Sequence, residues 1–414
     1  MTSGLKPHLR DRLQSVDALR GAVMIIMAID HVRDFIHRGA MMGQSPTSLA
    51  TTTPILFLTR WVTHFCAPIF MLTAGMGAYL YLQRHGSAVQ TPSPTAASGF
   101  SRTVPTSQLS WFLVTRGLWL ILLEVTVMQW AYNFSLATTY PILLLVLWAL
   151  GACMIILAVL IWLPIPLIAT LSVATIVLHH FADGMRTQGI GILLHQVGAF
   201  PFAGRVILAP YALVPWFAVM ALGYCLGAVY TWVPDVRRRF LLRIGIAATI
   251  AFLVVRVINA YGNPVKWAWQ ESATLTVLSF LDTTKYPPSL LFLLMTLGPG
   301  LIALSWLEGR SLSPANPLIV FGRVPLFYFV VHFFAAHAAM LLLSLVKYGP
   351  AALGFMFQPL PSTGGPEGAF PPGFGYDLWV AYAVWIAVVI VMYPLCRWFA
   401  GVKARKQSWW LSYL

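Results

Sequence analysis

Long apolar runs, each about the length of a bilayer-crossing helix, alternate with short polar connections along the 414 residues. A hydrocarbon core takes about 20 apolar residues in helix, and lipid leaves backbone groups no partner outside helices or closed barrels. The pattern predicts about ten spans, at 17–36, 61–82, 109–130, 140–162, 163–182, 209–232, 240–262, 287–309, 318–346 and 376–400. The fourth and fifth are separated by Leu163-Pro164-Ile165-Pro166, so one of them is expected to be short or re-entrant. The expected fold is a single all-α domain over 1–414, a polytopic transmembrane helix bundle. No internal repeat is visible, which argues against an inverted-repeat transporter.

Composition supports this reading. Hydrophobic residues make up 59% of the chain and charged residues 9%, far from the mix of a water-soluble enzyme or a disordered chain. The net charge of +14 is scattered between apolar blocks and forms no nucleic-acid stripe. The four cysteines, Cys66, Cys153, Cys225 and Cys396, have no paired or regular spacing. They predict neither a disulfide framework nor a thiolate metal site, and no metal is expected. Basic residues weigh on one side, with Lys6, Arg10 and Arg12, the triplet Arg237-Arg238-Arg239, and Lys403, Arg405 and Lys406. Both termini are therefore expected in the cytoplasm. The first apolar run is bracketed by Asp17, Arg20, Asp30 and Arg33, so it reads as a mature helix rather than a cleaved signal. Residues 84–108, rich in Ser, Thr and Pro, read as a flexible cytoplasmic loop. Residues 349–375, rich in Pro and Gly with Phe355, Phe357, Phe370 and Phe374, read as an external loop, either a plain linker or a lid.

Ionisable groups inside spans cost about 2.5–3.5 kcal/mol each on insertion scales and usually face the bundle interior. The first span ends Asp30-His31-Val32-Arg33-Asp34-Phe35-Ile36-His37. Helical spacing gives Asp30, His31 and Asp34 overlapping directions, the arrangement of an imidazole base oriented by a carboxylate. The alternative is a charge cluster that marks the helix end. Arg60 and His64 begin the second span at the same depth, so a helical hairpin would bring them to Asp30. Lys285 and Tyr286 stand at the mouth of the eighth span, and Arg323 and His332 lie in the ninth. Asp17 and Arg20 read as an intrahelical pair after a Ser15 N-cap, and Gly21 as a point of close helix approach. Acid/base groups thus gather toward one face, and arginines toward the other. Acyl transfer from a cytoplasmic, phosphate-bearing donor to an external acceptor would use both halves. A proton-coupled secondary transporter or permease with Asp30 and His31 as relay is the alternative, and a purely structural membrane partner is a third class.

The motif Ser15-Val16-Asp17-Ala18-Leu19-Arg20-Gly21, followed by Asp30-His31-Val32-Arg33-Asp34, resembles the opening of the heparan-alpha-glucosaminide N-acetyltransferase catalytic-domain family, in its bacterial branch. Further motifs in the same order are Arg60-Trp61 with His64-Phe65-Cys66-Ala67-Pro68, Lys285-Tyr286-Pro287-Pro288-Ser289, and Gly322-Arg323-Val324-Pro325 with His332. The resemblance implies a polytopic acyltransferase. Its lysosomal members pass acetyl groups from cytosolic acetyl-CoA to a terminal glucosamine amine. Those members use a luminal histidine after the first span. A gapless alignment puts Met42 there and His31 on an active-site asparagine, so His31 and His37 are the nearest candidates.

The expected site then has His31, Asp30, His64 and His332 as catalytic groups, with Asp30 orienting His31 and with His64 or His332 facing an oxyanion. Arg20, Arg116 and Arg323 would hold the phosphates of acetyl-CoA or another acyl-CoA, a donor substrate rather than a resident cofactor. Asp34, Arg60, Lys285 and Tyr286 would contact the acceptor. The expected partners are the lipid bilayer and a glycan or glycolipid, with no nucleic acid; a homodimer is compatible with the sequence. The expected location is a bacterial inner membrane.

Overall fold

The computed structural model describes residues 13–87, 106–135, 140–361, 365, 368–406, 408 and 411. The basic lead (Lys6, Arg10 and Arg12) and most of the 84–108 loop lie outside the described residues.

The protein is an all-α polytopic bundle, and eight helical stretches among the described residues are long and apolar enough to cross a bilayer. They include α4 (Cys66–Ser87) with the preceding α3 (Pro54–Thr63), α5 (Thr106–Leu123) with α6 (Gln129–Asn133), and α8 (Ile165–Leu178). The others are α10 (Leu213–Ala228), α11 (Pro234–Ile258), α13 (Leu290–Glu308), α15 (Pro325–Tyr348) and α16 (Leu378–Arg405). The two remaining expected spans are also helices. One is α1 (Gln14–Ile36), 23 residues that carry five charged side chains. The other is α7 (Val146–Leu160), whose 15 residues reach about 22 Å, short of a hydrocarbon core of about 30 Å. Short helices α2 (Arg38–Met41), α9 (Ile192–His195), α12 (Ala273–Leu281) and α14 (Pro317–Arg323) complete the set.

α1 is the hub. It packs against α3, α4, α13, α14, α15 and α16, so its charges face protein rather than lipid. Its approach to α14 depends on two glycines. A Cβ at Gly21 would lie 1.9 Å from the Leu318 carbonyl oxygen, and one at Gly322 would lie 1.8 Å from that of Asp17. Ser15 is not the N-cap, which is Leu13. The Ser15 hydroxyl donates instead to buried Glu308, which also pairs with Arg237. Arg237 is therefore a core ion-pair member rather than a free surface charge.

Prolines break two expected spans. Pro68 offers no amide to the carbonyl of His64, and the chain turns at His64 and Phe65 between α3 and α4. Val324, ahead of Pro325, leaves helical geometry with φ −133° and ψ 52°, which separates α14 from α15. A π-helical turn at Glu124–Met128 joins α5 to α6.

One feature was not expected, a three-stranded sheet of order β1-β3-β2. β2 (Gly198–Phe202) and β3 (Arg205–Ala209) form an antiparallel hairpin, and β1 (Ile142–Leu143) runs parallel to β3. The hairpin turns through Ala203 and Gly204, at φ 48° and 77°, as a tight right-twisted hairpin requires. In 349–375, Phe355, Phe370 and Phe374 pack on one another with ring centroids 4.9–5.9 Å apart. The described part of this stretch is thus a packed cap rather than a loose linker, and the Tyr376 backbone ties its end to Ile36 and Arg38.

Candidate functional site

Of the expected acid/base groups, Asp30, His31 and His64 share one cavity of about 910 Å³. The last turns of α1 supply Asp30, His31, Arg33 and Asp34. α3 and the turn after it supply Arg60 and His64, and the segment before α13 supplies Lys285 and Tyr286. The β2–β3 hairpin and Leu360 of the aromatic cap cover the chamber.

Asp30 lies between two guanidiniums. Arg33 donates to one carboxylate oxygen at 2.9 Å, and Arg60 contacts the other. The hairpin that the sequence predicts between the first two spans therefore forms. Arg33 also donates to Asp34 at 2.6 Å, and the Asp34 carboxylate is about one-third exposed to the chamber. Asp30 makes no hydrogen bond to His31 among the described residues, so the expected orienting contact is corrected. His332 takes that place, with its Nε2 2.7 Å from His31 Nδ1. His332 Nδ1 donates to the Tyr328 carbonyl at 2.9 Å, because a carbonyl can only accept. With both rings neutral, His332 Nε2 carries the lone pair and His31 Nδ1 the proton. The lone pair of His31 then sits on Nε2. Phe333 stacks on His31 at 4.1 Å and Phe329 meets it edge-on at 6.2 Å.

His332 is fully buried behind His31 and does not line the chamber. Both of its nitrogens are engaged, so it has no N–H for an oxyanion, and that part of the expectation is also corrected. His64 does line the chamber, and its Nδ1 has no hydrogen-bond partner among the described residues. Lys285 Nζ lies 5.0 Å from the Tyr286 ring centre. Burial alone would raise the Tyr286 phenol pKa, but Lys285 and Arg60 bring it below its usual value. Cys66 is buried, donates to the Val23 carbonyl and lies off the chamber wall.

A second cavity of about 430 Å³ opens where the start of α1 and the end of α16 meet, lined among others by Leu13, Arg20, Arg116 and Lys403. Arg20 donates to the Thr73 carbonyl at 2.8 Å and lies 3.9 Å from Asp17. Arg323 lies on neither lining, so the structure groups Arg20 with Arg116 but not with Arg323. Val146 lines both cavities, and Phe329 and Phe333 face one each. The His31–His332 pair therefore stands at the wall between them.

Sequence reading missed Glu124, whose carboxylate accepts from the Leu147 and Trp148 amides at 2.8 and 3.1 Å. It caps α7 and so sets Val146 in the wall. A lone acid in an apolar helix was the available signal. Tyr132 and Tyr211 in the chamber lining gave none, being aromatic residues in aromatic-rich spans.

The fold and these cavities define an integral membrane protein with one cavity lined by carboxylates, imidazoles and arginines and a second lined by Arg20, Arg116 and Lys403. The chain belongs to the heparan-alpha-glucosaminide N-acetyltransferase catalytic family, whose model matches residues 12–263, and that family implies a membrane acetyltransferase. The matched stretch contains Asp30, His31, Arg60 and both arginines of the second cavity but stops before Lys285, Arg323 and His332. No curated protein matches the sequence.

Proposed function

We propose that the protein moves an acetyl or related acyl group from cytoplasmic acyl-CoA to an amine or hydroxyl of a sugar on the external side of a bacterial inner membrane. The observation that carries this reading is the shared wall. Val146 lines both the acid/base chamber that holds His31 and the cavity that holds Arg20, Arg116 and Lys403. Guanidiniums suit bidentate contact with the donor's phosphates. The second cavity is accordingly the donor side and the cytoplasmic one, with both chain termini on that side.

In this mechanism the acceptor N–H or O–H gives its proton to His31 Nε2 as its heteroatom attacks the thioester carbonyl carbon. His64 and Lys285 face the developing oxyanion. The carbon–sulfur bond then breaks, and the thiolate leaves with the proton held by His31. His332 fixes the tautomer of His31, and Asp34, Arg60 and Tyr286 orient the acceptor. Asp30, clamped by Arg33 and Arg60, acts as a structural anion. That clamp weighs against the relay role that a transporter would give Asp30.

The test uses inside-out vesicles loaded with candidate glycans and supplied with labelled acetyl-CoA. Label should reach a lumenal acceptor, and His31→Ala should abolish the transfer. If no acceptor takes label while His31→Ala changes solute or proton flux, the transporter reading replaces this one.

A further inference from the structure

A group of titratable side chains outside both cavity linings gathers where α8 ends. A 3₁₀ turn carries His179 and His180, Asp183 follows it, and α9 delivers His195. One ligand-capable atom each of His179, His180 and Asp183 lies within 4.8 Å of the others.

The hydrogen bonds sort these residues into roles. His180 Nε2 accepts from the Leu290 amide at 3.0 Å. Its proton therefore sits on Nδ1, which donates to Asp183 Oδ2 at 2.7 Å. Both of its nitrogens are committed, and it orients the carboxylate. His195 Nδ1 lies 3.5 Å from the Val214 carbonyl, the outer limit of a hydrogen bond, so this contact does not fix its tautomer. Its Nε2 points at Asp183 Oδ1, 3.1 Å away. Positive charge, a proton or a metal ion, lies between that nitrogen and the carboxylate oxygen. A proton on Nε2 would satisfy this pair but would leave His179 unexplained. His179 is 6% exposed, and neither of its ring nitrogens has a partner among the described residues. Its ring centre lies 5.2 Å from that of His195 and 4.2 Å from that of His180.

We propose that His179, Asp183 and His195 bind one divalent transition-metal ion of the zinc class, His195 turning in beside Asp183 from outside the close His179–His180–Asp183 group, with His180 as the positioning residue for Asp183. Two donors about 2.0–2.1 Å from a tetrahedral ion lie roughly 3.3 Å apart, close to the His195–Asp183 separation. Two imidazoles and one carboxylate suit zinc, cobalt or nickel better than calcium or magnesium. Imidazoles that donate their other N–H to a carbonyl, and carboxylates that are themselves hydrogen-bonded, are the usual supports of such sites. The sequence argument against a metal concerned thiolate ligands, and no thiol takes part here.

The ion would staple three elements. It would tie the end of α8 to α9, and through His180 to the first residue of α13. The hairpin after α9 covers the chamber, and Lys285 and Tyr286 come just before α13. The bound metal would therefore hold the chamber's cover in place, independently of which group the chamber transfers.

The test uses the full chain in detergent, without a histidine tag and stripped with a chelator. Titration with Zn²⁺ should show one ion per chain and a rise in melting temperature that the chelator reverses. Co²⁺ should give the intense visible bands of a four-coordinate site, without thiolate charge transfer. His179→Ala and His195→Ala should each lose the stoichiometric ion, and His180→Ala should weaken binding about 10- to 100-fold. The proposal fails if the stripped wild-type chain binds no stoichiometric Zn²⁺. It also fails if Co²⁺ gives only the weak spectrum of an octahedral aquo ion, or if folded His179→Ala and His195→Ala chains bind like wild type. The Co²⁺ spectrum of the wild-type chain decides the matter even where a variant does not fold.

Discussion

His31 Nδ1–H donates to His332 Nε2, and this single bond sets where its basic nitrogen lies. If Nε2 is the base, His31→Ala should lower kcat for acyl transfer by about 10²–10⁴-fold, with the melting temperature nearly kept. His332 acts through His31, so its variants should separate by acceptor capacity. His332→Gln, whose amide oxygen can still accept from His31, should keep more activity than His332→Leu. The KM for the donor should stay unchanged in both, and the pH–rate profile should shift. Equal losses in the two variants would point to packing alone. Asp30 makes the opposite prediction, a loss of folding rather than of chemistry. Removing it takes away the carboxylate partner of Arg60 and leaves Arg33 with Asp34 alone, at a cost of about 3–5 kcal/mol for a broken buried pair. Asp30→Ala should accordingly reduce the yield of monodisperse protein in detergent and lower its melting temperature sharply. The Asp30–Arg60 contact was legible in the sequence because depth along two antiparallel spans follows from residue count. The His31–His332 contact was not, because a sequence separation of 301 leaves helix rotation undetermined. Asp30 was the nearest visible partner, and helical spacing alone could not show that two arginines claim it.

Elements form here because apolar length demands helix, and they end where proline, glycine or charge intervenes. That is why the spans were readable and their breaks less so. Pro68 and Pro325 were visible, but whether a proline kinks a helix or divides it depends on what its neighbours pack against. The hairpin had a weaker signal still, since its strands are five residues each and Ala203 takes a left-handed conformation that alanine rarely adopts. The α1–α14 contact shows how small residues set element spacing. Gly322→Ala should push α14 from α1 and lower stability by about 1–3 kcal/mol. Gly184→Ala, where an added Cβ meets nothing within 4 Å, is the control and should leave the melting temperature unchanged. The join between α1 and the aromatic cap should also respond to acid. Burial, with Arg33 and Arg38 nearby, lowers the His37 pKa from 6.5. The folded protein therefore binds a proton at His37 less readily than the unfolded chain does. Its contribution is intact above about pH 6.5 and falls away as the pH drops toward the lowered folded value. His37→Gln should shrink the melting-temperature difference between about pH 7.5 and about pH 5, and an unchanged difference would place the acid sensitivity elsewhere.

At the scale of the whole molecule, the proposed reaction requires a barrier to solutes to coexist with a path for one small group. Two cavities that share a lining residue instead of merging would meet this demand. Glu124 holds the first turn of α7 through two amides, and this fixes Val146 between the cavities. A charge at that place would be costly, whereas a valine would exclude ions and, in the proposed reaction, leave a thioester room to approach His31. Val146→Trp should therefore fill the junction. Acyl transfer should fall by at least about tenfold, while CoA binding, measured by calorimetry on the second cavity, stays near the wild-type value. Arg20→Ala should do the reverse, raising the donor KM and leaving the His31-dependent pH profile in place. If Val146→Trp transfers acyl groups at the wild-type rate, the two cavities do not meet during the reaction. If it loses CoA binding in step with transfer, the donor lies deeper than the second cavity and reaches the chamber itself.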